Sequence, residues 1–131
     1  MKGSYILLIN LNKEKNIHTG KLGNLHFKSG YYVYIGSALN GINQRVNHHL
    51  SKDKKNHWHI DYLLNESEIL NVYYKENNQK EECNIASEFL KKFDNIPGFG
   101  CSDCNCNSHL IYGDKEQILE LIDALEFKKL T

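Results

Sequence analysis

The residues of this sequence best suited to chemistry lie in one short stretch around its only arginine. Residues 30–49, GYYVYIGSALNGINQRVNHH, combine tyrosines, a Gly-Ser turn, Arg45 and two histidines, and Arg45 stands among many lysines. A guanidinium is planar and permanently charged, and it binds two oxygens of one anion at once, which a lysine cannot do. His49 follows Arg45 by one helical turn, so both can meet the same phosphate or carboxylate. The stretch favours an anion-binding site, and a surface salt bridge of Arg45 is the alternative.

The basic charge of the chain is concentrated in its first half. The sequence is neutral overall, with 16 Lys and Arg against 16 Asp and Glu, which argues against a polycation that coats nucleic acid. Residues 1–59 nevertheless hold nine basic residues against two acidic ones, and the excess is densest over residues 45–59. Such a run is typical of a solvated helix and loop, but it is also what a DNA-binding face needs.

Strands and helices in mixed order must position these side chains. An apolar run predicts a strand over residues 4–11, a second strand is expected over 21–27, and alternation with period 2 predicts a third over 31–36, the three paired as one antiparallel sheet; a further strand is expected over 67–75. Four helices are predicted as well. The first covers residues 41–52 and is capped by Asn40 or Ser37, the second is formed by the segment HWHIDYLLN, and helical spacing predicts the others over residues 80–92 and around 118–125. The pattern predicts an α+β fold with a small, mostly antiparallel sheet of three to five strands flanked by helices.

Length and composition predict one domain over residues 1–131. No apolar run is long enough for a membrane span, and the start of the chain, MKGSYILLINLNKEK, does not read as a signal peptide. We therefore expect a cytoplasmic protein without a membrane partner. In that compartment the four cysteines are expected to be reduced thiols or metal ligands rather than disulfides.

Two triplets and the arginine that follows them carry a resemblance to a known family. Gly3-Ser4-Tyr5, Tyr34-Ile35-Gly36 and Arg45 resemble the motifs of the GIY-YIG nuclease superfamily, although Ser4 replaces isoleucine and the two triplets are unusually far apart. The segments HWHIDYLL and IPGFGCSDCNCNSHL extend the resemblance over most of the chain. They are similar to an uncharacterised, mainly prokaryotic branch that is sometimes fused to a DNA-repair glycosylase.

The resemblance implies a GIY-YIG-like endonuclease that hydrolyses DNA with Mg²⁺ or Mn²⁺, in DNA repair or processing. It places Tyr5 near the attacking water, Tyr34 as a second hydroxyl and Arg45 on the phosphate. It implies that Glu82 holds the metal ion, and Glu82 rather than Glu81 lies beside the apolar stripe of its helix. A further catalytic histidine is expected at His57, with His59 as the competitor.

The remaining expected contacts concern DNA and partner proteins. Residues expected to contact DNA are Ser37, His48, His49, Lys52, Lys54 and Lys55. Near-neutral charge predicts that targeting depends on a homodimer or on a DNA-repair protein.

Two other functions stay open at the level of sequence. One is a catalytically silent domain of the same fold that binds nucleic acid or protein. The other is a small zinc-stabilised binding module, in which Zn²⁺ is held by Cys101, Cys104, Cys106 and His109, with Cys83 as a substitute ligand. Buried thiols or redox chemistry are alternatives for the same cysteines.

Overall fold

A computed structural model describes residues 2–38, 41–51, 58–77, 79, 81–99 and 108–131. It has eight strands, β1 (Gly3–Leu11), β2 (Lys15–His18), β3 (Asn24–Phe27), β4 (Gly30–Ala38), β5 (Glu68–Glu76), β6 (Asp94–Asn95), β7 (Leu110–Gly113) and β8 (Lys128–Lys129), within those residues. The same residues form four α-helices, α1 (Ile42–Leu50), α2 (His59–Leu64), α3 (Glu82–Leu90) and α4 (Lys115–Ala124). None of these helices is long and apolar enough to cross a membrane. The predicted α+β class is confirmed.

The main sheet has six strands in the order β6-β7-β4-β1-β5-β8, and all of its pairings are antiparallel. The four longer strands, β7, β4, β1 and β5, lie within the predicted three to five. The two-residue strands β6 and β8 extend the sheet at its edges. The predicted pairing of residues 21–27 with this sheet is wrong, because β3 pairs with β2 in a separate two-stranded sheet. A strand has only two edges, and β1 already uses both of them, for β4 and β5.

Side chains alternate between the two faces of the main sheet, and each face has its own core. The first face, which we call the α1–α2 face, packs β1 and β4 residues such as Tyr5, Leu7 and Tyr34 against helices α1 and α2. The opposite α3–α4 face packs Ile6, Ile35 and their neighbours against α3 and α4. The sheet is therefore buried on both sides, which explains why β1 reads as a nearly continuous apolar run.

Helix α1 begins without the expected side-chain cap. Its N-cap is Gly41, which has a φ of 137° and makes no side-chain hydrogen bond. Glycine adopts this backbone conformation readily, whereas Ser37 still belongs to β4 and Asn40 lies outside the described residues. The helix spans residues 42–50 and presents Ile42, Val46 and His49 to the core.

Candidate active site

The phenol of Tyr5 lies over the glycine that ends the second triplet. Tyr5 and Gly36 are direct partners in the β1–β4 pairing. A Cβ at position 36 would lie 2.7 Å from Tyr5 Cε1 and closer still to its Cζ and OH atoms, which is sterically impossible without movement. Gly36 is thus required for the Tyr5 ring to occupy its place on the α1–α2 face.

The two motif tyrosines meet at His49. The hydroxyl of Tyr5 lies 2.8 Å from His49 Nε2, and the two side chains are buried, with Tyr5 only 1% and His49 only 2% exposed. The Tyr34 ring stands edge-on to His49 with 6.1 Å between the centroids. We expected His49 to contact DNA, but its position inside the site favours an interaction with the phenols instead.

Asp61 lies behind His49 and is fully buried. Its Oδ2 accepts a hydrogen bond from the backbone N–H of Trp58 at 2.9 Å and lies 3.4 Å from His48 Nε2. Its Oδ1 lies 3.9 Å from His49 Nδ1. A buried carboxylate is tolerated only where polar or positive groups surround it, and here a backbone amide and two imidazoles do so.

Arg45 lies at the mouth of the site. Its guanidinium carbon is 4.5 Å from the centre of the Trp58 ring, a cation–π contact, and its Nη1 lies 3.5 Å from the Ser37 carbonyl oxygen. The ring of His48 meets the same Trp58 edge-on at 4.9 Å. Ala38, Gly41, Gln44, Arg45, His48 and Trp58 line an open cleft of about 250 Å³. The cleft therefore offers a fixed positive charge beside a partly exposed aromatic ring.

Burial dominates the protonation of Tyr5. Desolvation raises the pKa of the Tyr5 phenol well above its usual value, and neighbouring Tyr34 raises it further. The charge of Arg45 and a side-chain hydrogen bond from it lower that pKa in part, and Asp61 adds a smaller raising effect. Tyr5 is accordingly a neutral phenol at physiological pH, and a neighbouring group must accept its proton if it is to act as a base.

Glu82 lies at the same end of the sheet but in a helix of the other face. It is the first residue of α3, which packs on the α3–α4 face. The chain reaches α3 from Asn77, whose N–H donates to the Lys2 carbonyl next to the start of β1. Within the described residues Glu82 Oε2 is buried and has no hydrogen-bond partner. No described hydrogen bond or ion pair joins Glu82 to Tyr5, Tyr34 or Arg45.

Ser37 meets Arg45 through its backbone and not through its side chain. Its backbone carbonyl faces Arg45, whereas its hydroxyl is buried and has no hydrogen-bond partner in the described part of the chain. Of the other expected DNA contacts, His48 lines the cleft. Lys52, Lys54, Lys55 and the expected catalytic His57 lie outside the described residues.

The predicted zinc ligands are only partly visible. Cys101, Cys104 and Cys106 lie outside the described residues. His109 is buried beside Cys83, with 3.6 Å between His109 Nε2 and Cys83 Sγ, and burial lowers the pKa of His109 while nearby Glu82 raises it. Cys83 is disulfide-bonded, contrary to the expectation of reduced thiols, and a disulfide sulfur does not serve as a thiolate ligand. The described residues contain no group of three or more His, Cys, Asp or Glu side chains that could hold a metal ion.

Sequence reasoning missed two residues of this site, Trp58 and Asp61. Trp58 is the only tryptophan of the chain. Asp61 stands in the otherwise apolar segment from Ile60 to Leu64, and a carboxylate at a core-facing helical position is itself a signal of a buried polar network. Neither signal names the partner histidines, because these belong to another helix.

The fold and the site define an α+β domain with a buried tyrosine, histidine and aspartate cluster under an arginine-lined cleft. The family model named domain of unknown function DUF123 matches residues 4–129, and the chain belongs to this family. No curated protein and no solved structure matches the chain.

Proposed function

We propose that this protein is a metal-dependent endonuclease of the GIY-YIG type that hydrolyses phosphodiester bonds of DNA. One observation carries the proposal. Tyr5 and Tyr34 of the two triplets lie on one face of the sheet, and Arg45 from the next helix is close enough to hydrogen-bond to the Tyr5 phenol and lower its pKa. Separation of these three residues by the sheet would have removed the support.

Arg45 and Trp58 of the cleft and the buried Tyr5 have roles that fit hydrolysis of a phosphodiester. Arg45 would hold two nonbridging phosphate oxygens and stabilise the charge that grows on them as water attacks. Trp58 holds the guanidinium in place and presents its ring to a base or sugar. The Tyr5 hydroxyl, bonded to His49, lies beneath this position as a candidate for moving the proton of the attacking water.

Glu82 is the residue that would hold Mg²⁺ or Mn²⁺. Its Oε2 is buried, lacks a hydrogen-bond partner in the part of the chain that the structure describes, and is the hard oxygen donor that these ions prefer, so the residue fits. A bound divalent ion would offset charge on the phosphate and lower the pKa of a bound water. Glu82 is in a helix of the other sheet face, so the substrate phosphate would have to lie at the sheet end between Glu82 and Arg45.

A second candidate function is a DNA-binding domain without catalysis, possible for the same fold. The observation that favours it is the burial of Tyr5, which is only 1% exposed and so is closed to solvent water. Under this reading the cleft of Arg45, His48 and Trp58 binds the backbone and stacks on bases, and Tyr5 is a core residue.

A cleavage assay separates the two functions. The protein is incubated with branched, flapped, nicked and linear DNA, with and without Mg²⁺, and affinity is measured in parallel across a salt series. An endonuclease cleaves at least one substrate in a Mg²⁺-dependent manner. In both cases affinity falls with added salt, because neutralised phosphates release counterions. Binding without cleavage of any substrate would leave the silent domain as the function.

A further inference from the structure

The buried carboxylate of Asp61 couples two histidines that lie on different sides of the cleft wall. His48 reaches the cleft surface, whereas His49 faces inward to Tyr5. Asp61 lies 3.4 Å from His48 Nε2 and 3.9 Å from His49 Nδ1, and the N–H of Trp58 fixes its Oδ2 at 2.9 Å. The carboxylate cannot rotate away without breaking the hydrogen bond that it accepts from the Trp58 backbone N–H at the start of α2.

The position of Asp61 and Tyr5 around His49 affects which of its ring nitrogens carries the proton. A neutral imidazole has one N–H and one bare nitrogen, and the proton stays on the nitrogen that faces the better acceptor. Oδ1 of Asp61 lies 3.9 Å from Nδ1, which is too far for a hydrogen bond, but the negative charge of the buried carboxylate favours the tautomer with the proton on Nδ1, the ring nitrogen that faces it. Nε2 is then bare, and it lies 2.8 Å from the Tyr5 hydroxyl, which can donate to it.

We propose that Asp61 is a positioning residue that keeps the proton of His49 on Nδ1, so that His49 Nε2 accepts the proton of the Tyr5 hydroxyl. In that transfer the Tyr5 O–H bond breaks and an Nε2–H bond forms, which leaves a phenolate and an imidazolium beside the Asp61 carboxylate. No electron is gained or lost. As a part of catalysis, this inference rests on the proposed nuclease function.

The charges around the pair favour the transfer. The imidazolium would face Asp61 from α2, and the phenolate would lie within reach of Arg45 from α1. Among the described residues, the other titratable groups near the pair are Tyr34 from β4, Tyr74 from β5 beside Tyr5, His48 from α1, and Glu68, which lines a separate pocket at the end of α1 together with His49. Tyr34, the Glu68 carboxylate and Asp61 itself oppose a negative charge on Tyr5, so Arg45 and the new positive charge of the imidazolium must offset them.

The test is NMR of the histidine rings in the full chain, with the His48 and His49 signals assigned through His48→Gln and His49→Gln. Wild type is expected to show His49 as the Nδ1–H tautomer. Asp61→Asn keeps the shape and an acceptor for the Trp58 amide but removes the charge. It should lower the pKa of His49 by about one unit or more and reduce the Nδ1–H population. Asp123→Asn, an exposed aspartate of α4, is the matched control and should change neither.

Single-turnover cleavage then shows whether the arrangement serves the reaction. Asp61→Asn should slow cleavage on the order of 10²-fold and shift the pH at which the rate rises, with DNA affinity little changed. An unchanged His49 tautomer and pKa in Asp61→Asn would overturn the proposal whatever the rates are. A changed His49 with an unchanged rate would overturn its role in the reaction. If wild type cleaves nothing, the proposed function fails, and the NMR result alone decides whether Asp61 holds His49.

Discussion

The two faces of the sheet differ in the polar contacts that their buried ionisable groups make. On the α1–α2 face, Tyr5, His49 and Asp61 are buried and make polar contacts with one another. On the α3–α4 face, Glu82 Oε2 is buried without a hydrogen-bond partner in the described part of the chain. Several ionisable groups in contact offset part of the cost of burying one another, whereas a buried carboxylate oxygen without a hydrogen-bond partner is of the kind that is retained where it binds something. This difference fits the proposed function, in which the α1–α2 face would organise proton transfer and the α3–α4 face would supply a cation ligand.

The largest expected effect comes from removing the charge on the α3–α4 face. Glu82→Gln keeps nearly the same shape but removes the anionic ligand, so Mg²⁺-dependent cleavage should be lost. Stability should stay the same or rise slightly, because the change neutralises a carboxylate whose buried Oε2 has no hydrogen-bond partner among the described residues. The measurement is single-turnover cleavage over a magnesium titration, with thermal unfolding of the same samples. Glu81→Gln, at the preceding position, is the control, and full cleavage by Glu82→Gln would remove Glu82 from the mechanism.

The next effect concerns the cleft of the α1–α2 face. Arg45→Lys keeps the charge but loses the planar fork that binds two oxygens, so turnover should fall on the order of 10²-fold. DNA affinity should change little, since a lysine still neutralises one phosphate. The two quantities are measured on the same substrate, with Lys28→Arg as a control outside the cleft. A fall in affinity without a fall in turnover would assign Arg45 to binding alone.

Much of the fold could be predicted because it depends on local patterns. The apolar run of β1, the alternation in β4 and the helical spacing in α3 and α4 predicted these elements within a few residues. The two-residue strands β6 and β8 have no such pattern. The wrong pairing of β3 arose because pairing depends on which strand edges are already occupied, and this is a property of the whole sheet.

The candidate site divides in the same way. The triplets and Arg45 could be identified because their residue types and order are themselves the signal. The role of His49 could not, because its burial depends on α2 packing over α1, far along the chain. The sequence did not predict the sheet face on which Glu82 lies either. Helical spacing shows which side of α3 is apolar, but not which face of the sheet α3 packs on.

A third prediction tests whether each face tolerates a methyl group at a glycine under an aromatic ring. Gly36→Ala would drive a Cβ into the Tyr5 ring, and Gly113→Ala would place one 3.0 Å from Phe93 Cε1 and closer still to its Cδ1. Each change should lower the free energy of unfolding by about 1–3 kcal/mol. Only Gly36→Ala should also disturb the Tyr5–His49 contact and slow cleavage. Equal loss of cleavage in both variants, after correction for folded fraction, would mean that the faces are not separate.

The smallest effect is expected at alkaline pH and compares Tyr5 with Tyr73, which packs on the α3–α4 face. Burial raises the pKa of both phenols, but Tyr5 is almost fully enclosed whereas Tyr73 is partly exposed. Below about pH 10 the phenols are neutral in the folded and the unfolded chain, so neither contributes a pH dependence. Above it the unfolded chain releases a proton that folded Tyr5 retains, so the free energy of unfolding falls by up to about 1.4 kcal/mol per pH unit. Tyr5→Phe should reduce that slope clearly and Tyr73→Phe only slightly, while buried Tyr32, whose pKa is also raised, keeps its contribution in both variants, as measured by denaturant unfolding at a series of pH values. Equal slopes in the two variants would show that Tyr5 is no more enclosed than Tyr73.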